Sequence, residues 1–356
     1  MGAVSLGERI HNRAMLELDD RIAMKNKLSY SRMRPESGVA LITILLVVVI
    51  ATVLGVTIVK DQNTTLLRAR SFFDQSQAKQ YALGGEELAR QILWEDFDSG
   101  EKKDHLGEAW ASQELQFEFE DGDVRILIED MQSRLNVNSL VGAQAPQARE
   151  RFLDLLNQIG LDVVFADRIA DWIDEDGTAR QLGAEDYQYL GLDQAYRTGG
   201  QLMLDVSELR LLLEMDWESF QKLLPYVTAI PDTESVLNIN TADAIVLQTI
   251  SKQLDPSSAE QLLTSREEAA GFDTITEFLQ LPELAGMGIS EEGLGVQSVF
   301  FKVKIIARFQ ERFSYLTSIV QRDSIDGSTR VIYRNNSNKI LPIVRTKTEN
   351  GQVDDV

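Results

Sequence analysis

Residues 39–59 read VALITILLVVVIATVLGVTIV, a run of 21 residues with no charge. At ~1.5 Å of rise per residue, a helix of this length spans about 31 Å, roughly the hydrocarbon core of a bilayer. Before it stands the short basic run Ser31-Arg32-Met33-Arg34-Pro35-Glu36-Ser37-Gly38; after it, Lys60-Asp61 opens a polar stretch that keeps helical spacing. The chain is expected to carry a membrane anchor whose helix runs on into a folded body.

Three readings compete for the apolar run. A cleaved secretory signal needs a shorter apolar core followed by a small-x-small cleavage site. A plain signal anchor needs only length and flanking charge. A type IV prepilin-like signal is cut before the apolar run, after Gly38, and keeps the hydrophobic helix. Gly38-Val39-Ala40-Leu41-Ile42-Thr43 fits the last best, and the segment by itself leaves it level with the plain anchor. Met24 and Met33 are alternative starts within a long leader.

Charge sets the class of partner. The net charge is −21. Residues 1–38 hold seven Lys/Arg and five Asp/Glu, a balance of +2, so the rest carries −23. Such a body repels nucleic-acid phosphates and suits calcium or basic partners. Lys25, Lys27, Arg32 and Arg34 precede the apolar run, which points that end to the cytoplasm and the body to the far side of the membrane. There is no cysteine, hence no disulfide and no thiolate metal site. The two histidines, His11 and His105, stand near no other obvious catalytic group. Nucleophile–histidine chemistry is not expected.

Periodicity supplies the elements. Leu66, Ala69, Phe73, Tyr81, Leu88 and Ile92 recur at helical spacing over residues 60–97, weakened by Gly84-Gly85. Leu115-Gln116-Phe117-Glu118-Phe119-Glu120, Asp121-Gly122 and Val124-Arg125-Ile126-Leu127-Ile128 read as a hairpin. Residues 139–295 read as almost wholly helical, with helices at 151–156, 163–173, 206–213, 217–224, 242–250, 257–269 and 275–281. Strands return at 298–306, 313–320 and 329–334. Leu135-Asn136-Val137-Asn138 is echoed by Leu237-Asn238-Ile239-Asn240, a weak internal repeat that implies two related α-subdomains, with Asn or Thr capping the next helix. A two-stranded hairpin alone is marginal. It is therefore expected to join the C-terminal strands on the N-terminal helix, with the helical block inserted between strands of one sheet.

Several motifs, taken in order, resemble the minor pseudopilin K family of bacterial type II secretion systems. They are Gly38-Val39-Ala40-Leu41-Ile42-Thr43, Leu135-Asn136-Val137-Asn138, Ala170-Asp171-Trp172-Ile173-Asp174, Gly183-Ala184-Glu185-Asp186-Tyr187, Ser207-Glu208-Leu209-Arg210 and Asn238-Ile239-Asn240-Thr241-Ala242. The resemblance covers most of the chain after Gly38. It implies an α+β, pilin-like fold, a long N-terminal helix on an antiparallel sheet, with a large all-α insertion of two SAM-like, helix-hairpin-helix-like subdomains. It implies a leader at 1–38, the transmembrane part of the helix at 39–59, pilin-like segments at 60–138 and 296–343, α-subdomains at 139–236 and 237–295, and a tail at 344–356. It also implies cleavage by prepilin peptidase between Gly38 and Val39 and N-methylation of Val39. The place implied is the tip of the pseudopilus, with minor pseudopilins I and J and the other pseudopilins. There the chain caps and initiates the filament, and can meet the secreted substrate or the outer-membrane secretin. Ordinary pilins carry Glu at the fifth mature position; here it is Thr43. A carboxylate in lipid needs a partner, and a subunit with nothing above it has none.

The acidic loop Asp174-Glu175-Asp176-Gly177-Thr178, followed by Glu185-Asp186, is the candidate site. Calcium takes six to eight oxygens from a flexible loop. Counting Asp174 as position 1 places Asp176 at 3, Thr178 at 5 and Glu185 at 12, but position 6 is Ala179 where an EF-hand needs Gly. The residues alone leave a plain solvated loop equally open. The resemblance implies calcium in this helical domain, with Asp174, Asp176, Glu185 and Asp186 as ligands. Two other functions remain for comparison. A membrane-anchored DNA-uptake protein would fit Asn238-Ile239-Asn240-Thr241-Ala242, but the turn at Leu254-Asp255-Pro256-Ser257 lacks the glycines of a phosphate-binding hairpin. A carboxylate-pair hydrolase finds no pair singled out, so no enzyme is expected.

Overall fold

The computed structural model describes residues 37–100, 102–111 and 115–336. Residues 1–36 of the leader expected at 1–38, residues 337–343 of the expected last sheet segment and the tail expected at 344–356 lie outside the described residues. The chain divides into two units, one through Arg70 and one from Ser71.

Helix α1, Ser37–Asp98, begins in the first unit, and its first turn includes Gly38 and Val39. Every residue from 39 to 70 is exposed. Among the described residues, this is the one helix long and apolar enough to cross a membrane. Its hydroxyls are turned inward on its own backbone. Thr43 Oγ1 donates to the carbonyl of Ala40 at 2.9 Å, and Thr52 and Thr57 bond to carbonyls one turn back in the same way. A threonine satisfied like this adds no uncompensated polar group to a lipid-facing helix.

In the second unit the rest of α1 lies against a five-stranded antiparallel sheet. Its strands are β1 (Leu115–Phe119), β2 (Gly122–Asp130), β7 (Phe300–Phe309), β8 (Arg312–Arg322) and β9 (Thr329–Asn335), in that spatial order. The hairpin does pair with the returning strands: β2 meets β7 in a register from Gly122↔Phe309 to Asp130↔Phe301. Alternation along the strands sends Val124, Ile126, Val303, Ile305 and Leu316 into a core shared with Ala82, Ala89 and Leu93 of α1. At Gly85 the helix approaches the sheet closely. A Cβ on Gly85 would stand 2.8 Å from Val124 Cγ1 and 3.1 Å from Ile305 Cγ2, whereas a Cβ on Gly84 would meet nothing within 4 Å. The two glycines therefore separate by experiment. Gly84→Ala should stabilise the protein by up to ~1 kcal/mol. Gly85→Ala should destabilise it by about 1–3 kcal/mol through overpacking. Thermal melts of the two variants check this, and equal shifts would refute the close-approach reading.

Polar ties fix the helix as well. Glu86, 2 % exposed, accepts from Ser318 Oγ and from both Nε and Nη2 of Arg334. Burial by itself would raise its pKa, but the hydrogen bonds of Arg334 and Ser318 outweigh burial and hold it below the usual value.

Between β2 and β7 the chain makes its insertion. Its elements are β3 (Leu135–Asn136), α2 (Ala145–Gln158), α3 (Val164–Ile173), α4 (Asp186–Leu190), α5 (Trp217–Leu223), β4 (Val227–Thr228), β5 (Leu237–Asn238), α6 (Ala244–Gln248), α7 (Pro256–Glu268), α8 (Ile275–Leu279) and β6 (Leu294–Gly295). It is less helical than the periodicity predicts. The stretch predicted as a helix over 206–213 is a 3-10 turn at Val206–Leu211, and the one predicted over 242–250 shrinks to α6. The cause is a surplus of caps. Asp205, Asp216, Asp243, Asp255 and Thr274 each accept backbone N–H groups at the start of a new turn, so the chain keeps restarting short helices.

The internal repeat has a structural meaning. Leu135-Asn136 pairs in parallel with Val227-Thr228, and Leu237-Asn238 pairs in parallel with Leu294-Gly295. The second asparagine of each repeat is a clip. Asn138 Oδ1 accepts from the N–H of Met203 and its Nδ2 donates to the carbonyls of Met203 and Ile230. Asn240 Oδ1 accepts from the N–H of Phe272 and its Nδ2 donates to the same residue's carbonyl. Both asparagines are fully buried. The expected capping role belongs to Asn136, whose Oδ1 receives the N–H of Asn138. Helix α2 has no side-chain cap.

Candidate metal centre

Two helix ends bring the acids together. Asp171 lies in the last turn of α3, Asp174 is that helix's C-terminal cap, and Glu185 is the N-terminal cap of α4. One carboxylate oxygen from each of the three lies within 4.8 Å of the others. Asp171 and Asp174 are three apart in sequence, so the helical repeat puts them on one face. The loop between then folds back through Gly183. A Cβ there would stand 1.7 Å from Asp171 Oδ2, so only glycine allows the approach.

The four residues predicted from sequence divide evenly. Asp174 and Glu185 are in the cluster. Asp176 is exposed and its Oδ1 accepts the N–H of Thr178. Asp186 turns away, receiving Thr198 N–H and Oγ1 on one oxygen and Arg197 on the other. Asp171, wholly buried, is the member that counting along the loop overlooks. Its signal was its i, i+3 spacing from Asp174 in Ala170-Asp171-Trp172-Ile173-Asp174.

Electrostatically the cluster is unfinished. Glu185 is 5 % exposed, yet its Oε1 has no hydrogen-bond partner, and neither has Asp174 Oδ1. Burial, then the charges of Asp171, Asp174 and Asp176, push Glu185 up to about 7. Burial also raises Asp171, against the hydrogen bonds of Arg180. Three convergent carboxylates with two orphaned buried oxygens fit a hard, oxygen-seeking divalent cation such as calcium. A chain without cysteine has no thiolate to favour zinc.

A second acidic group, Asp96, Asp104 and Glu108, is tied up inside the protein. Arg322 bridges Asp96 and Asp104, and Glu108 Oε2 accepts from Trp110 Nε1 and the N–H of His105. Burial and the nearby Asp96 charge raise Glu108 to about 7. The arrangement locks the end of α1 to the sheet.

A helix long and apolar enough to cross a membrane, running into a helix-on-sheet body with an acid-bearing insertion between two adjacent strands, defines a mixed α/β subunit with a long N-terminal helix on an antiparallel sheet. Residues 133–232 and 237–297 each match the family described as "Type II secretion system (T2SS), protein K". The type II secretion system protein K of Pseudomonas aeruginosa is 35 % identical over 335 residues, covering 90 % of this chain and 99 % of that protein. The corresponding protein of Klebsiella pneumoniae is 33 % identical over 263 residues, 70 % of this chain and 80 % of its own length. A chain in the crystal structure of the GspK-GspI-GspJ complex from enterotoxigenic Escherichia coli superposes with a TM-score of 0.67 at 27 % identity, covering 76 % of this chain and 99 % of that one. The chain belongs to the type II secretion system protein K family. The reading as a helix-hairpin-helix DNA-binding protein gains no support from these matches. At the turn where a phosphate would sit, Asp255 caps α7 by accepting from the N–H groups of Ser257 and Ser258.

Proposed function

We propose that this protein is the tip subunit of a type II secretion pseudopilus, which it caps and initiates together with pseudopilins of the I and J types. The observation that carries this reading is the insertion of residues 131–299 between two paired neighbouring strands, β2 and β7. A pilin-like subunit enlarged in this way leaves no room for another above it. The likeness to a chain of a three-protein complex whose title names GspI and GspJ supports the choice of partners.

The rest of the reading follows. Prepilin peptidase cuts between Gly38 and Val39, and Val39 becomes the methylated N-terminus of α1. Thr43, neutral and self-satisfied, stands where a filament subunit would carry an acid needing a neighbour. The basic residues before the apolar run hold that end in the cytoplasm, so the body is periplasmic. The body divides into a pilin-like part, 60–138 and 296–343, and two SAM-like α-subdomains at 139–236 and 237–295; Asn138, just ahead of the first, is clipped to Met203 inside it, and Asn240 is clipped to Phe272 within the second. Calcium is held by Asp171, Asp174 and Glu185. When bound, it neutralises those carboxylates and braces the loop between α3 and α4.

Co-purification tests the assembly. Full chain extracted from membranes in detergent should bring down I- and J-type pseudopilins as a stable ternary complex. A complex that forms as readily with a variant lacking the insertion would overturn the capping reading.

A further inference from the structure

Arg180 stands in the loop between α3 and α4. Its Nη1 lies 2.5 Å from Asp171 Oδ1 and 2.5 Å from Asp174 Oδ2, so a single nitrogen bridges two of the three clustered acids. The backbone N–H of Arg180 donates to the remaining oxygen of Asp171 at 3.1 Å. The third acid is left out: Glu185 Oε1 and Asp174 Oδ1 have no partner. Calcium–oxygen distances run from about 2.3 to 2.6 Å. Nη1 therefore occupies the place that an ion bridging these same two oxygens would take. Ion and guanidinium nitrogen cannot share it. The Arg180 side chain keeps 35 % of its surface exposed while the carboxyl of Asp171 keeps none. The arginine thus has a way out to solvent, whereas Asp171 has none and the Asp174 side chain is only 12 % exposed.

We propose that Arg180 is a built-in competitor for the metal: it neutralises the buried acids of the empty site and must be displaced before calcium enters. This rests on the calcium reading above and adds to it a control on affinity. The guanidinium holds Asp171 and Asp174 in register, which like charges alone would push apart. The same contact makes the metal-competent state a minority one, and apparent affinity falls by that fraction. The site then fills only where free calcium is plentiful, as it is outside the cytoplasm.

The test is calorimetric titration of calcium chloride into the full chain in detergent, as wild type, Arg180→Gln and Arg180→Lys. With the competitor in place nine-tenths of the time, removing it raises affinity on the order of tenfold. Arg180→Gln should therefore bind about that much more tightly, with a lower melting temperature in chelator and a larger upward shift on adding calcium. Arg180→Lys, which keeps the charge without the fork, should fall between. Binding by Arg180→Gln equal to or weaker than wild type, with a native melt, overturns the proposal and leaves the calcium reading standing. Absence of binding in every form overturns both. Should Arg180→Gln fail to fold, the wild type still decides. Nitrogen-15 spectra of arginine-labelled protein, with the Arg180 signal assigned from Arg180→Lys, should show its side chain passing to a solvent-exchanging state as calcium saturates. An unmoved signal at saturation overturns displacement.

Discussion

Asn138→Ala should destabilise the protein by about 3–5 kcal/mol, and Asn240→Ala by about 2–4 kcal/mol. Each truncation strands buried backbone groups. Removing the Asn138 amide leaves the N–H and the carbonyl of Met203 without their partner and takes from the carbonyl of Ile230 one of its two donors, the other being the N–H of Asp232; both residues are fully buried. Each stranded group costs about 1–3 kcal/mol, and the small cavity adds to it. Asn240 serves one N–H and one carbonyl of Phe272, which explains its smaller effect. Asn138→Asp keeps the shape and the acceptor but turns a carboxylate toward two carbonyls, and should be no milder than alanine. Urea unfolding of each variant checks the order. Either asparagine replaced at a loss below about 1 kcal/mol would show that the clips are incidental.

The clips also mark where sequence reading stops. The two LNxN echoes were visible, and they suggested paired subdomains. What they do was not visible, because Asn138 meets Met203 across 65 residues and Asn240 meets Phe272 across 32. Local rules see a cap, which is what Asn136 supplies. The frame was more legible. Strict alternation in Val124, Ile126 and Ile128 and again in Val303, Ile305 and Ala307 gives a half-buried sheet, and a lone hairpin needs further strands. Together these pointed to a sheet interrupted by an insertion. Gly85 was legible only as a weak helix position, since its closeness to Val124 and Ile305 belongs to tertiary structure.

The acidic site divides in the same way. Asp174 and Glu185 were reachable by counting along a loop. Asp171 required counting along a helix instead. Arg180 could not be found by looking for ligands at all, because it meets Asp171 and Asp174 as a counter-charge and not as an oxygen donor. The distinction is physical. Spacing tells which acids share a face, while only the folded loop tells which cation neutralises them.

Arg322→Leu should cost about 3–5 kcal/mol at neutral pH, because it strips a buried acid of its counter-charge. Arg322 is 2 % exposed and its partner Asp104 1 %. Its two terminal nitrogens reach Asp104, Asp96 Oδ2 at 3.1 Å and the carbonyl of Ser298 at 2.9 Å, and the guanidinium lies 4.8 Å from the centre of the Phe301 ring. One residue thus joins the end of α1, the 102–111 segment and the root of the insertion. Burial already raises the pKa of Asp104, with Arg322 opposing it. Loss of the arginine must raise it further. An acid whose folded pKa exceeds its unfolded value adds stability below the unfolded pKa and loses it as pH rises through the folded one. The deficit of Arg322→Leu relative to wild type should therefore be smallest near pH 4, about the unfolded value for aspartate, and grow toward neutrality. Adding Asp104→Asn should flatten that pH dependence and recover part of the loss. Its carbonyl oxygen can still accept the N–H of Ser298, which now reaches Asp104 Oδ2 at 2.6 Å. A deficit that stays constant from about pH 4 to 7, read from paired melts, would mean that the buried charge of Asp104 is not what Arg322 neutralises.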